Sequence, residues 1–446
     1  MRLVPLDSGR PSRLEKILSM FAEVRPGEGV TALLLMANVF TLLTAYYIIK
    51  PVREALILAE SSAEVKSYAS AGQAALLLLI IPLYGLVARR VNRVWLINGV
   101  TAFFISNLVV FFLLGQLGTK LGIVFYLWVG LFNVMIIAQF WAFANDLYSK
   151  KKGERLFGLI GIGASIGAIL GAGIAGKLFD TNIGIYSMML VAAFLLGACM
   201  ILTTIVHRRE KQRSDPALAA ERVETPEKPL GTKGGFQLIF TNKYLLAIAF
   251  LVLLSNLVNT TGEFILGKTV ETHAETTVAA ADVKNYIGQF YADFYFWVNL
   301  LGAVIQMFAV SRIMQYLGTG AAVLFLPVLA LGSYAIIALV PVLSWIRFAK
   351  IAENTTDYSV QNTARHALFL PTSREAKYKA KTAVDSFFWR TGDALSALLV
   401  LVGTHLALNV RAFALVNIIL VGVWLVLAVI IARSLKNARS ATGMAA

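Results

Sequence analysis

Leu42-Leu43-Thr44-Ala45-Tyr46-Tyr47-Ile48-Ile49-Lys50-Pro51-Val52-Arg53-Glu54-Ala55-Leu56-Ile57-Leu58 is the stretch on which the fold turns. It continues an apolar run that begins near Val30, long enough to cross a bilayer as a helix, yet it carries Lys50, Arg53 and Glu54 between apolar neighbours. Charge at that depth is costly, and it persists mainly where it faces a bundle interior or a watery cavity, as part of a substrate or ion pathway. Pro51 removes a backbone donor beside the charges and leaves a carbonyl free to face a ligand or water. The other reading is a helix that ends at Lys50, its cations snorkelling into headgroups. The return of apolar residues from Ala55 to Ala59 counts against it.

Composition agrees with a membrane protein. The 446 residues are 58% hydrophobic and 15% charged, with a mean hydropathy of +0.72, outside the range of ordinary soluble domains. One cysteine, Cys199, excludes a disulfide framework and a cysteine metal site, and the four histidines have no zinc spacing. No cofactor or metal is called for. The net charge of +15 would suggest nucleic acid in a soluble protein, but here the bias of basic residues to one membrane face is a sufficient explanation, so no nucleic-acid partner is expected.

Hydrophobic windows place about twelve spans, at roughly 30–58, 70–88, 95–115, 122–146, 157–177, 184–206, 244–268, 287–311, 319–340, 343–370, 382–405 and 411–432. Loops on the side of the N-terminus hold the bulk of the 40 lysines and arginines, whereas the opposite loops hold Lys66, Lys120, Lys177, Lys268, Lys284 and Arg411. That asymmetry predicts cytoplasmic N- and C-termini. Residues 1–29 read as a cytoplasmic segment, with Leu14, Ile17, Leu18 and Phe21 on one face of an interfacial helix. It lacks the uninterrupted apolar core of a secretory signal. The chain then divides into a six-helix bundle at 30–206, a charged, proline-interrupted cytoplasmic linker at 207–243, a second six-helix bundle at 244–433 and a tail at 434–446. Six plus six around a cytoplasmic loop is an all-α integral membrane protein with the architecture of the major facilitator fold, in which two pseudo-repeated halves rock about a site near the midplane. The repeat is faint, limited to Ile48–Val52 against Ile265–Val270, and the Gly85–Arg93 loop only loosely follows that superfamily's Gly and Arg-rich loop.

The fifth span carries Gly163, Gly167 and Gly171 at intervals of four, with Gly161, Gly173 and Gly176 beside them. Small residues at that spacing let helix backbones approach closely, as in a helix that packs and slides against the other half. A phosphate-binding glycine loop would need a following Gly-Lys-Ser/Thr, which is missing. In the tenth span Arg347, Lys350, Glu353, Asn354, Asp357, Gln361 and Arg365 fall within an arc of about 120°. Such a stripe lines a cavity or pairs with other buried charge, unless the helix lies on the surface as an amphipathic connector. Asp385, Arg390 and Asp393 in the eleventh span are the expected partners.

Several of these segments together resemble a known family. Arg25-Pro26-Gly27-Glu28-Gly29, Tyr46-Tyr47-Ile48-Ile49-Lys50-Pro51-Val52-Arg53-Glu54, Phe140-Trp141-Ala142-Phe143-Ala144-Asn145, Arg365 to Arg374, and Lys377-Tyr378-Lys379-Ala380-Lys381-Thr382-Ala383-Val384-Asp385 look like the nucleotide transporter (ATP/ADP translocase) family. The resemblance covers most of the membrane portion. It implies twelve spans, exchange of one phosphate-bearing nucleotide for another, and hence nucleotide binding. Position by position, Arg53 matches the family's basic residue in its first helix, and Lys379 or Lys381 its basic residue just before Asp385. The family's acidic residues in helices 4 and 7 fall on Val129 and Asn259, with Glu263 one turn after the latter. These departures leave adenine nucleotide specificity and obligate exchange open.

The expected substrate-binding set is Lys50, Arg53, Glu54, Tyr47, Asn259, Glu263, Lys350, Glu353, Asp357, Arg365, Lys379, Lys381, Asp385 and Arg390. Arginine grips phosphate bidentately and lysine binds it as a point charge, so Arg53 and Lys50 suit a polyanion. The acidic residues could instead carry protons. Tyr46, Tyr47 and the aromatics Phe290, Tyr291, Phe294, Tyr295 and Phe296 either stack a base or sugar ring or simply pack. No enzyme constellation is visible. The expectation is a monomeric secondary transporter of a small anionic solute in the bacterial cytoplasmic (inner) membrane, a nucleotide or phosphorylated metabolite; the alternative is a proton-coupled carrier of another organic solute or lipid.

Overall fold

A computed structural model describes residues 13–20, 22–88, 91–148, 150–181, 183–213 and 234–441. Much of the linker expected at 207–243, the end of the expected tail and Phe21 lie outside the described residues. Among those described, every regular element is a helix. A short α1 (Arg13–Leu18) precedes six long helices: α2 (Gly29–Glu60), α3 (Ala63–Ala88), α4 (Arg93–Gln116), α5 (Gly122–Leu147), α6 (Lys150–Phe179) and α7 (Ser187–Arg213). After α8 (Gly235–Thr241) come α9 (Lys243–Thr277), α10 (Val283–Phe308) with the short α11 (Val310–Tyr316), and α12 (Gly318–Leu339). Two interrupted helical segments follow. The first joins α13 (Leu343–Thr356), a π-helical turn at Asp357–Gln361 and α14 (Asn362–Ala367). The second joins a π turn at Ala376–Ala380, α15 (Lys381–Ala383), a π turn at Val384–Phe388 and α16 (Trp389–His405), before α17 (Val410–Ala441) closes the chain. Eight described helices are long and apolar enough to cross a membrane, nine if the bent pair α10 and α11 forms one span. The 343–367 and 376–405 segments, where the charge is concentrated, are not among them.

Burial is inverted relative to a soluble protein. Leu79, Phe103, Leu113, Phe194, Ile201 and Ile419 are each more than half exposed, while Lys50, Glu54, Lys350, Glu353 and Asp393 are buried. Water would not tolerate that arrangement, but lipid favours it, because apolar surface costs nothing there and charge must turn inward. Helix ends are set by local chemistry. Asn92 caps α4 by accepting from Val94 N, and Asn242 caps α9 by accepting from Tyr244 N and Leu245 N. The turn after α4 runs through Gly118 at φ 78°, a left-handed conformation open to glycine.

Contacts divide the chain into two compact units. Unit 1 contains residues Met1–Glu54, Leu78–Glu227 and Gly288–Phe296; unit 2 contains Ala55–Leu77, Lys228–Ile287 and Trp297–Ala446. In unit 1, α6 lies against α2 through the glycine stripe. A Cβ on Gly163 would come within 2.5 Å of Met36 O, one on Gly167 would strike Phe40 O, and one on Gly171 would come within 2.7 Å of Thr44 O. The stripe expected to meet the other half of the sequence therefore meets α2 first. The neighbouring Gly173 and Gly176 do face Phe296 and Ala292. Asn38 donates to Thr203 Oγ1 (2.8 Å) and ties α2 to α7, where Cys199 is buried.

The amphipathic N-terminal helix is shorter than expected and rotated. Leu18 is buried but Ile17 is 56% exposed, so the two do not share a face. Glu15 is drawn inward because its carboxylate accepts from Gly27 N at 2.6 Å. Glu28 of the Arg25–Gly29 motif takes both terminal nitrogens of Arg155 (3.0 and 3.1 Å), fixing the turn to α6.

In unit 2, α9 is the central helix and packs on α12, α13, α16 and α17 through contacts given below and through the chain Phe264–Phe413. The 55–77 segment joins it by ion pairs. Lys284 meets Glu60 (2.7 Å), and Lys268 meets Glu64 (3.1 Å) and Glu271 (3.4 Å). Glu271 also accepts from Ala63 N (3.2 Å). Two lysines assigned from the sequence to polar loops are thus part of helices, and each is held there by ion pairs.

Candidate functional site

Among the described residues, each unit holds a buried cluster built around a lysine. In unit 1 it is built on α2. Lys50 and Arg53 stand three residues apart, one helical turn, on either side of Pro51 and Val52, and α2 continues through them to Glu60, so the reading in which the helix ends at Lys50 is set aside. The Lys50 ammonium sits over three tyrosine rings, 3.8 Å from the centroid of Tyr295, 5.1 Å from Tyr47 and 5.8 Å from Tyr46. Cation–π contacts of this kind are each worth about 0.5–2 kcal/mol, more as water is excluded. The Arg53 guanidinium lies 4.7 Å over the Tyr126 ring and pairs with the fully buried Glu54. Tyr295 Oη donates to the same Glu54 carboxylate (3.3 Å). Tyr295 therefore touches both charges, its ring under Lys50 and its hydroxyl on Glu54. The Phe290, Tyr291 and Phe294 rings pack edge-on behind it. Val129 is fully buried, close in sequence to the stacked pair Trp128 and Phe132.

In unit 2 the cluster centres on Lys350, fully buried on α13. Its ammonium donates to Glu353 Oε2 (3.0 Å) and Asn259 Oδ1 (3.0 Å) and lies 3.6 Å from Glu263 Oε1. Asn354 donates to Glu263 (2.9 Å). Tyr334 of α12 reaches both oxygens of Glu353 (3.1 and 3.2 Å) and Val258 O (3.2 Å). Asn259 thus contributes a neutral acceptor. A Cβ at Gly262 would meet Tyr334 Oη and come within 2.9 Å of Lys350 Nζ, so this glycine makes the room in which the cluster sits.

Other expected residues fall into separate pairs. Arg390 meets Asp393 (3.2 Å), which also accepts from Asn256 (2.8 Å) and Thr260 (3.0 Å). Arg365 lies over the Trp389 ring (4.6 Å), and Lys381 pairs with Asp385 and sits near Phe369. Asp357 begins a π turn and is part-buried; Lys379 is part-buried in the next. The partners expected between the tenth and eleventh spans are therefore different ones. Lys350, Lys381 and Arg390 each pair within their own helical segment, and Lys350 and Asp393 reach to α9. The surface-connector reading of the tenth span fails as well. Its polar residues Lys350, Glu353, Asn354 and Gln361 are buried, while the large apolar side chains Trp345, Phe348 and Tyr358 are exposed.

A family model described as the Major Facilitator Superfamily matches residues 31–352. The chain belongs to the Major Facilitator Superfamily. Solved members of similar fold include a bacterial homologue of the human lysosomal transporter Spinster, with 14% identity, TM-score 0.58, 92% of this chain and 98% of that one covered. Others are the nucleoside transporter NupG (11%, TM-score 0.62, 90% and 98%) and a bacterial homologue of the iron transporter ferroportin (15%, TM-score 0.61, 90% and 98%). At such identity they speak for the all-α membrane fold alone. In sequence the chain is similar to proteins named ADP,ATP carrier protein 1 from Chlamydia pneumoniae, 23% identical over 66% of this chain, and from Chlamydia muridarum, 24% identical over 66%. It spans 63% and 61% of their lengths. The resemblance drawn from the residue motifs is thus found again over two thirds of the chain.

Within this superfamily member the sequence did not announce Tyr334, Tyr126 or Asn256. The two tyrosines sit in otherwise apolar helices, where an aromatic reads as packing. The available signal was a polar tip in a membrane-depth run, which must find a partner.

Proposed function

We propose that this chain is a secondary active transporter that moves a nucleotide or a related phosphorylated anion by alternating access in a bacterial cytoplasmic membrane, with both termini in the cytoplasm. The observation that carries this reading is the Lys50–Arg53 pair on α2, held by tyrosine rings in the core of unit 1. Aromatic rings hold both cations in place, and Arg53 also pairs with Glu54. A phosphate can then compete with Glu54 for the Arg53 guanidinium, which offers it two parallel donors. The similarity to chlamydial proteins named ADP,ATP carriers supports the nucleotide as the anion.

The test is uptake by proteoliposomes offered a panel of labelled nucleotides, nucleosides and phosphorylated metabolites. A phosphate-bearing solute is expected to accumulate. Arg53→Ala should lower that uptake by at least about tenfold at unchanged protein abundance, the scale of one lost charged hydrogen bond. Uptake confined to uncharged solutes would overturn the reading.

A further inference from the structure

The two edges of the Arg53 guanidinium have different surroundings. Arg53 Nε donates to Glu54 Oε1 at 3.0 Å, and Nη2 donates to the same oxygen. Among the described residues these are the hydrogen bonds of the guanidinium, so the Nη1 end, which carries two further hydrogens, is left over. The Arg53 side chain keeps 13% exposure while that of Glu54 has none, and the Tyr126 ring covers one face of the guanidinium plane. Glu54 Oε1 accepts in addition from Tyr295 Oη at 3.3 Å. That hydroxyl is aimed by its ring, which lies 3.8 Å beneath the Lys50 ammonium and edge-on to Tyr47 at 6.3 Å.

We infer that Tyr295 is a positioning residue of the anion site, its hydroxyl holding Glu54 while a substrate phosphate draws Arg53 Nη2 away. The inference deepens the reading of the chain as a carrier of a phosphate-bearing solute, and it rests on that reading. A phosphate grips a guanidinium best through two parallel N–H groups. The pair open to it is Nη1 with Nη2, because Nε lies on the edge that faces Glu54. Forming that grip takes Nη2 from Glu54 Oε1. A fully buried carboxylate at membrane depth resists the loss of a partner, since an uncompensated charge there is costly. With Nε and Tyr295 Oη still on the same oxygen, Glu54 gives up Nη2 and stays bonded on both sides. Without the hydroxyl only Nε of these donors remains, and Glu54 holds Nη2 more firmly against the phosphate. Tyr295 therefore raises affinity for the anion by acting through Glu54.

The experiment is a double-mutant cycle on the binding of ATP, ADP and pyrophosphate to the purified protein, read by titration calorimetry. Tyr295→Phe keeps the ring beneath Lys50 and removes only the hydroxyl, and it is expected to weaken binding about tenfold, the scale of one hydrogen bond to a charged group. In a Glu54→Gln background no carboxylate competes for Nη2, so the same substitution should change affinity by less than about twofold. If that background does not accumulate, Glu54→Asp takes its place: it keeps the charge, draws the carboxylate one methylene back from the hydroxyl, and should likewise make Tyr295→Phe silent. A hydroxyl needed only for folding would weaken binding equally in both backgrounds, and that result would overturn the proposal. Wild-type affinity in Tyr295→Phe would overturn it as well. Binding of pyrophosphate but of neither nucleotide removes the nucleotide from the reading, and the cycle on pyrophosphate then decides the role of Tyr295. If none of the three binds to wild type, the phosphate reading falls and the role of Tyr295 falls with it.

Discussion

At the scale of single residues, Arg53 and Lys50 divide two kinds of work. Arg53 stacks on Tyr126 and pairs with Glu54, while Lys50 is carried by aromatic faces. If Arg53 holds phosphate through its planar fork, Arg53→Lys should impair uptake nearly as much as Arg53→Ala, because an ammonium keeps the charge but loses both the bidentate geometry and the ring stacking. Full activity of Arg53→Lys in the same vesicle assay would instead assign it a point-charge role. Charges such as these were legible in the sequence because ionised groups in an apolar run cost about 2.5–3.5 kcal/mol each at membrane depth and need a reason to be there. Their partners were not legible. Tyr295 is far from Lys50 along the chain and looks like one more ring in an aromatic run. Arg390 chose Asp393 on its own helix rather than a residue of the preceding one. Partner choice among several carboxylates depends on helix phase and side-chain reach, which one sequence does not state.

At the scale of elements, the glycines of α6 show which part of a pattern carries structure. Gly163, Gly167 and Gly171 stand against the backbone of α2, whereas Gly161 faces open space with nothing within 4 Å. Gly167→Val should therefore cost about 1–3 kcal/mol through overpacking, or force α6 away from α2. Gly161→Ala should be neutral or slightly stabilising. Thermal unfolding of the two purified variants in detergent checks the contrast, and equal midpoints would remove the close-approach role of the stripe. The spacing of four was readable from the sequence; the identity of the facing helix was not, since any helix with a smooth face could have met it. The tenth span gives the opposite lesson. Its polar arc was drawn with a constant 100° per residue, but the π turn at Asp357–Gln361 interrupts that phase, so the buried cluster forms from Lys350, Glu353 and Asn354, while Arg365, beyond the turn, reaches Trp389.

At the scale of the whole molecule, the basic residues should fix orientation in the bilayer. Single cysteines introduced at position 10, within 207–243 and at position 440, in a Cys199→Ala background, are expected to react with an impermeant thiol reagent only when the cytoplasmic face is open. Labelling of the central segment in intact cells would reject an even number of spans before it. That class and fold were readable so early follows from solvent physics, because lipid demands long apolar helices and leaves few alternatives. The three π turns, at Asp357–Gln361, Ala376–Ala380 and Val384–Phe388, bear on kinship as well as on shape. A π turn holds one residue more than the α-helix around it, and such turns gather at functional sites. A related chain that lacked the extra residue would continue as a plain helix, with everything downstream turned by about 100°. Between 357 and 388, then, an ungapped alignment can set Lys379 or Lys381 opposite the wrong neighbour, and a one-residue gap at each π turn is where descent and geometry would be brought back into step.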